Sequence, residues 1–345
     1  AFAIVYTLAG IPLGRLVDRT HRRNLIFIGL LFWSAMTVFS GLATTYSQLF
    51  VARMGIGVGE AVLAPAAYSI IADYVAPARR GRALAVYYMS IGIGSGASLF
   101  IGGLILQALP PQGLEAPFLG QMDNWRWMFI FAGVPGFLVA GLLFTVREPA
   151  RMELGVSASD SRQPSIAEVL AYLRANAATF SRILVYPSIL AVIGYGSLAW
   201  APALMQRRFD MPTSESGQIV GLLIAVCGTV GTLASGWLSD RWHNRGVSAA
   251  RFRVTLVGQA ILLPCVALWP LMPHPALSCA LLGTGLVGLA IAQTAAPPAI
   301  QEVVPNRMRG QMIAIYLLLG GLLGIGLGPT LVALITDYVF HDDLM

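Results

Sequence analysis

Two residues of formal charge, Arg53 and Glu60, interrupt a run of apolar and small residues that extends from Leu49 to Ala72. On a helix, a separation of seven makes two turns, so the two side chains share one face about 10 Å apart along the axis and point into the same space. A charge near the centre of a bilayer costs at least ~2.5 kcal/mol even on the lenient insertion scale, so such residues persist where they are paired, face water or act on a ligand. Their chemistry differs. Arginine does not release its proton and suits an anionic head group or a partner carboxylate, whereas Glu60 in a partly apolar cavity can take up a proton and be neutralised. That change of charge would shift the preference between outward-facing and inward-facing states. The competing reading is a buried ion pair with neighbouring helices that serves packing alone. No histidine lies deep in an apolar run: His21 and His243 fall in loops and His274 and His341 at run ends, so a proton carrier in this chain is a carboxylate.

The elements that position these residues are membrane helices. Hydrophobic residues make up 57% of the chain and charged residues 11%, against about 25% charged in a soluble domain. The mean hydropathy is +0.72. Such a chain cannot cover itself with polar surface, and its apolar runs repeat at the length of about 20 residues that crosses the hydrocarbon core as a helix. Ten spans are expected: 1–14 (partial), 25–43, 49–72, 83–107, 126–146, 183–205, 217–238, 252–271, 276–298 and 311–335. The first reaches Arg15 too soon to cross and has no signal-peptide pattern, so it is read as a truncation within a helix.

Charge then sets the sidedness and excludes other classes. The net charge is +6, but it sits in short loops rather than on one soluble face, which argues against a nucleic-acid partner. Every basic side chain of the Lys/Arg class is arginine; without lysine there is no Walker-type phosphate loop and no Schiff-base chemistry. Cys227, Cys265 and Cys279 lie in apolar runs without metal-ligand spacing and are read as buried thiols, with no metal and no cofactor implied. Arginines collect on alternate loops, at 15–23, 79–82, 147–182, 241–253 and 307–309, with Arg207 and Arg208 as the exception. The positive-inside rule makes those loops cytoplasmic in a multi-pass protein of the cell inner membrane.

The longest connection, 147–182, is polar and Ser/Arg-rich at first and then shows helical spacing of Ile166, Val169, Leu170 and Leu173. It separates an N-terminal bundle, 1–146, from a C-terminal bundle, 183–345. The halves repeat one another: Gly14-Arg15-Leu16-Val17-Asp18-Arg19 matches Gly236-Trp237-Leu238-Ser239-Asp240-Arg241, and Val75-Ala76-Pro77 leading to Arg80-Gly81 matches Val304-Pro305 leading to Arg309-Gly310. The step along the chain from Gly14 to Gly236 is nearly the same as that from Gly81 to Gly310. A near-constant offset is expected of duplicated helical bundles with a substrate path between them.

Gly-x-Leu-x-Asp-Arg followed by Arg22 and Arg23 resembles the signature loop between helices 2 and 3 of the major facilitator superfamily, and its partner at 236–241 resembles the loop between helices 8 and 9. The resemblance implies an all-α integral membrane protein of the major facilitator fold, two pseudo-symmetric bundles, with ten of twelve transmembrane helices present and helices 1 and 12 lacking. Arg53-Met54-Gly55-Ile56-Gly57-Val58-Gly59-Glu60-Ala61, Pro65-Ala66, Ile71-Ala72-Asp73-Tyr74 and Gly92-Ile93-Gly94-Ser95-Gly96 narrow it to a resemblance to the Spinster-like family, continued by Pro305-Asn306-Arg307-Met308-Arg309-Gly310 and Gly326-Leu327-Gly328-Pro329. That family implies movement of lysolipids or phosphorylated sphingoid bases coupled to protons. By pseudo-symmetry Asp18 is expected to meet the helix start near Gly310 and Asp240 the one near Gly81, forming with Arg22, Arg23, Arg80, Arg241 and Arg309 a latch on the cytoplasmic side. The alternative for these aspartates is solvation among loop arginines.

Glycines 55, 57 and 59, and 92, 94 and 96, have no strand before them and are read as helix-packing surface rather than a dinucleotide fingerprint. Gly320, Gly321, Gly324, Gly326 and Gly328 act likewise, with a kink expected at Pro329. Tyr6, Tyr68, Tyr87, Tyr195, Trp200, Gln259 and Gln293 are candidates to line the cavity, or else to pack and anchor at the interface. The sequence therefore describes a carrier and not an enzyme: a secondary transporter of a small amphipathic or anionic organic solute, with protons, lipid and the solute as partners. The alternatives are a transport-inactive receptor or scaffold of the same fold and a facilitator of a water-soluble organic anion. An intramembrane enzyme would need a nucleophile with a base or a metal cluster, and the sequence shows no such constellation.

Overall fold

The computed structural model describes residues 2–116, 120–149, 166–305 and 308–338. Its α-helices follow in order: α1 Phe2–Arg19, α2 Arg22–Leu42, α3 Tyr46–Glu60, α4 Leu63–Tyr74, α5 Pro77–Ala108, α6 Asn124–Leu142, α7 Ile166–Ala175, α8 Ala177–Phe180, α9 Tyr186–Phe209, α10 Thr213–Asn244, α11 Ala250–Leu268, α12 Pro275–Val303, α13 Arg309–Leu319 and α14 Gly328–Tyr338. Among the described residues, nine helical stretches are long and apolar enough to cross a membrane. The remaining run, α1, carries Arg15, Asp18 and Arg19 towards its end. A short antiparallel ribbon precedes α6, with β1 Leu114–Ala116 against β2 Gly120–Met122. The sequence reading expects no strand there; Gly113, just before β1, and Gly120, at the start of β2, have φ of +83 and +69, which glycine adopts without strain.

The chain forms two compact units. The first comprises Ala1–Tyr88 and Leu104–Gly155, the second Met89–Gly103 and Val156–Met345. Within the first, α2 lies against α3 so closely that a Cβ on Gly29 would stand 2.8 Å from the Gly59 carbonyl oxygen, and one on Gly59 would stand 2.9 Å from that of Gly29. Within the second, α11 crosses α12 in the same way: a Cβ on Gly258 would stand 2.5 Å from the Gly288 oxygen, and one on Gly288 would stand 2.6 Å from that of Gly258. The step from Gly29 to Gly258, and from Gly59 to Gly288, is the one that takes Gly81 to Gly310. The internal repeat of the sequence is therefore also a repeat of packing. Lipid gives apolar helices no hydrophobic reason to associate, and close backbone approach at small residues replaces it.

The expected span 49–72 is present as one membrane-length stretch, Tyr46–Ile71, whose hydrogen-bond ladder is interrupted between α3 and α4. Thr45 caps α3 in a reciprocal box with Gln48, and α3 stops at Glu60 before α4 resumes at Leu63. Pro65 explains the break: it has no N–H for the carbonyl of Ala61, four positions earlier, and its ring crowds that carbonyl. The ladder runs up to the gap through Ala61 N–H to Gly57 O at 3.2 Å and restarts with Ala66 N–H to Val62 O at 3.3 Å. In the glycine-rich region the helix widens to a π-helix over Gly320–Leu327, directly before Pro329. Of the connection 147–182, the described helix α7 buries Val169 and exposes Leu170; residues 150–165 lie outside the described residues.

One polar cluster ties three helix ends of the first unit together. The Arg22 side chain is 1% exposed. Its Nη1 pairs with Asp73 at the end of α4 and donates to Ser69 Oγ at 2.9 Å; its Nε donates to Glu148 Oε1 at 2.7 Å and its Nη2 to the Pro149 carbonyl at 3.0 Å. Glu148 in turn accepts the backbone N–H of Arg23 at 2.8 Å, one of the amides that the first turn of α2 leaves without a partner. Burial pushes the Glu148 carboxyl up, but the Arg23 amide, the Arg22 hydrogen bond and the Arg22 charge outweigh it and hold it below the usual carboxylate range.

Substitution tests each of these contacts. Gly59→Val and Gly288→Val each force bulk into a backbone contact and should destabilise the purified protein by about 1–3 kcal/mol in thermal unfolding. Arg22→Gln leaves Asp73 and Glu148 without their cation and should cost about 3–5 kcal/mol. A carboxyl held low in the fold contributes stability that is present above its unfolded pKa of about 4.3 and lost as pH falls through the folded value. The melting temperature of the wild type should therefore drop below about pH 4, and Glu148→Gln should flatten part of that drop while lowering stability at neutral pH.

Candidate functional site

In the first unit α3 carries both intramembrane charges. Arg53 is exposed, and its guanidinium carbon stands 5.8 Å from the ring centre of Phe129 on α6. Glu60, half-buried, is the last residue of α3 and sits at the edge of the Pro65 break. Among the described residues neither makes an ion pair within 4.0 Å or a side-chain hydrogen bond. They lie within electrostatic reach of one another, and Glu60 within reach of Tyr6 on α1. Tyr6 stacks on Phe2 with centroids 5.9 Å apart, and both press on α3 at Gly57, where a Cβ would lie 3.2 Å from the Phe2 oxygen. A glycine there is what lets α1 bring its tyrosine beside the carboxylate.

Arg126 shows what a satisfied arginine looks like in the same unit. It donates from Nε to Gly41 O at 2.9 Å and from Nη2 to Leu42 O at 3.1 Å and Ala43 O at 2.8 Å, absorbing the carbonyls at the end of α2. Arg22 is likewise saturated. Arg53 has an aromatic face and open space, a cation ready for an anion or for a mobile carboxylate.

The duplication supplies an internal control. The step that carries Gly29 to Gly258 also carries Arg22 to Arg251 and Asp73 to Glu302. Arg251 and Glu302 form their own ion pair at 3.1 Å between the start of α11 and the end of α12. The same step carries Arg53 to Leu282 and Glu60 to Leu289, which are 3% and 9% exposed in the core of the second unit. The fold thus repeats the ion pair at its helix ends but does not repeat the intramembrane charges. At these positions packing is served by leucine.

The other candidates fall in several places. Tyr195 on α9 donates to Gln293 Oε1 on α12 at 3.2 Å, and its ring abuts Gly324 in the π-helix. Trp200 donates to the Pro329 carbonyl at 2.9 Å. Gln259 is buried, its Oε1 without a hydrogen-bond partner among the described residues, beside a cavity of about 10 Å³ lined in part by Arg182 and Thr255, room for one water. Tyr68 and Tyr87 pack edge to face at 5.2 Å. The side chains of Asp18, Arg80 and Arg309 lie outside the described residues. Asp240 is exposed and unpaired among the described residues, while Arg241 covers the Trp237 ring at 5.2 Å. Sequence reasoning missed Asp73, Ser69 and Glu148 as partners of Arg22, and Glu302 as partner of Arg251. The constant offset between the halves would have found the last once the first pair was known. No three His, Cys, Asp or Glu side chains come together among the described residues.

Comparison with known proteins identifies the family. An MFS-type efflux pump of Mycolicibacterium smegmatis is 27% identical over 351 residues, covering 99% of this chain and 75% of the relative. The D-galactonate transporter of Escherichia coli is 25% identical over 349 residues, covering 94% of this chain and 76% of the relative. Among solved structures, a bacterial homologue of the human lysosomal transporter Spinster, inward-facing and unoccupied, superposes with a TM-score of 0.79 at 26% identity, covering 99% of this chain and 76% of that one. The sequence profile of the Major Facilitator Superfamily matches residues 1–329. The helical spans, the duplicated packing and this match make the chain a multi-pass membrane transporter that belongs to the Major Facilitator Superfamily.

Proposed function

We propose that the chain is a proton-coupled secondary carrier of a small anionic or amphipathic organic solute, in which Arg53 holds the anionic group and Glu60 carries the coupling proton. The observation that carries this reading is the pair of intramembrane charges in one half, unpaired among the described residues, set against Leu282 and Leu289 at the repeated positions of the other. A charge retained where the same fold accepts leucine answers to a ligand rather than to packing. Arginine offers a permanent, forked donor set for carboxylate or phosphate, and a glutamate at a helix break sits where discontinuous helices of transporters meet their ions. Alternating exposure of this site to the two sides of the membrane completes the cycle, with the arginine-rich loops cytoplasmic by the positive-inside rule. In that cycle Asp18 and its counterpart Asp240 act as the latch of the cytoplasmic side.

Two solute classes have support. Likeness to the Spinster homologue, with the cargo that the family resemblance implies, favours a lysolipid or sphingoid phosphate; the D-galactonate transporter favours a water-soluble sugar acid. Arg53 serves either, since both present an anionic oxygen pair. Uptake into proteoliposomes separates them when a lysolipid and galactonate are offered to the same preparation with and without an inward proton gradient. The expected result is uptake of one of the two that rises with the gradient, and Glu60→Gln should abolish that dependence while leaving solute binding measurable. Arg53→Gln should raise KM by about 10- to 150-fold, the worth of a charge-assisted hydrogen bond. Binding of either solute without flux in the intact chain would instead mark a receptor.

A further inference from the structure

The helix α10 is built inside out. Small and polar residues, among them Ser216, Gly221, Gly231, Ser235 and Ser239, are buried against neighbouring helices. Its bulky apolar residues Leu222, Val226, Val230, Leu233 and Trp237 are each half or more exposed, Trp237 at 63%. At about 100° per residue these five fall within an arc of about 80°, and from first to last they run about 22 Å, longer than the ~15 Å depth of one leaflet. The stripe leads to a basic end. Trp237, Asp240, Arg241, Asn244 and Arg245 line an open pocket of about 400 Å³. Arg241 lies over the Trp237 ring, and among the described residues neither Arg241 nor Arg245 has a carboxylate partner.

A helix C-terminus ordinarily repels anions because its last carbonyls are bare. Here the Trp242 carbonyl accepts from the amides of Arg245 and Val247 at 3.2 and 3.1 Å, and that of His243 from Gly246 at 2.9 Å. Two of the last four carbonyls are thereby occupied, and two guanidinium groups line the pocket. Asp240 is the carboxylate among the pocket's lining residues.

We propose that this face of α10 binds one anionic phospholipid, its acyl chain along the stripe from Trp237 towards Leu222 and its phosphate between Arg241 and Arg245. Charge complementarity selects this occupant. Guanidinium groups bind a phosphate with two parallel hydrogen bonds, a tryptophan at the head of an apolar face belongs at the depth of the lipid head groups, and basic pockets at helix ends hold anionic head groups. A second copy of the chain or another protein segment would need apolar contact along the stripe but would gain nothing from two free arginines at its end.

Native mass spectrometry of the full chain, titrated with phosphatidylglycerol, with phosphatidylcholine of the same acyl chains and with glycerol 3-phosphate, tests the assignment. The expected result is one phosphatidylglycerol retained at least tenfold more tightly than phosphatidylcholine, with no retention of glycerol 3-phosphate. Arg241→Gln and Arg245→Gln should each weaken it about fivefold and together about twenty-five-fold, and Asp240→Asn should tighten it. Equal affinity for the two lipids, unchanged selectivity in the double variant, retention of glycerol 3-phosphate in place of lipid, or a dimer that excludes lipid would each overturn the proposal.

Discussion

Hydrocarbon offers a charge no water to fall back on, and the way this chain disposes of its arginines follows from that constraint. Arg22 is enclosed by acceptors, two of them carboxylates, and becomes a fastener for α2, α4 and the segment that follows α6. Arg126 is absorbed by three backbone carbonyls and becomes a helix cap. Both are satisfied, and both are structural for that reason. Arg53 receives neither treatment; it stands exposed beside a phenyl ring, two turns from a carboxylate it does not pair with. These arginines of one unit thus separate by how fully the protein itself completes their hydrogen bonds, and the incomplete one is the residue proposed to bind the solute.

Duplication sharpens the contrast, because each half is a template for the other. The Gly29–Gly59 crossing returns as Gly258–Gly288, and the Arg22–Asp73 pair returns as Arg251–Glu302, all at one offset. What packing requires is therefore present twice. Leucine in place of a second Arg53 and a second Glu60 is the asymmetry that a carrier built from two like bundles needs if one bundle binds and the other moves against it. Glu60 also sits where Pro65 interrupts the helix, so the carboxylate lies next to backbone free of the regular ladder.

Much of this was legible in the sequence, and for identifiable reasons. Apolar runs of membrane-spanning length announce helices in lipid, since no other open-ended element satisfies its backbone there. Arg53 and Glu60 were visible because a charge inside such a run has few bland explanations. The near-constant step between matched motifs announced the two halves. The partners of Arg22 were hidden by distance along the chain: Asp73 is 51 residues away and Glu148 126, and no local pattern joins them. The break after Glu60 could have been read from Pro65, but an otherwise unbroken apolar run argued for one helix. The π-helix at Gly320–Leu327 has no sequence period of its own.

On the proposed function, Arg53 and Glu60 are dispensable to the fold and indispensable to transport. The double variant Arg53→Leu, Glu60→Leu gives the first half the residues that the second already carries at these positions. Its thermal unfolding and its solute flux in proteoliposomes, measured on the same preparation, separate the two roles. The expected result is a melting temperature at or above that of the wild type with flux lost. A protein that unfolds at lower temperature would make the two charges structural, and one that still transports would remove them from the machinery.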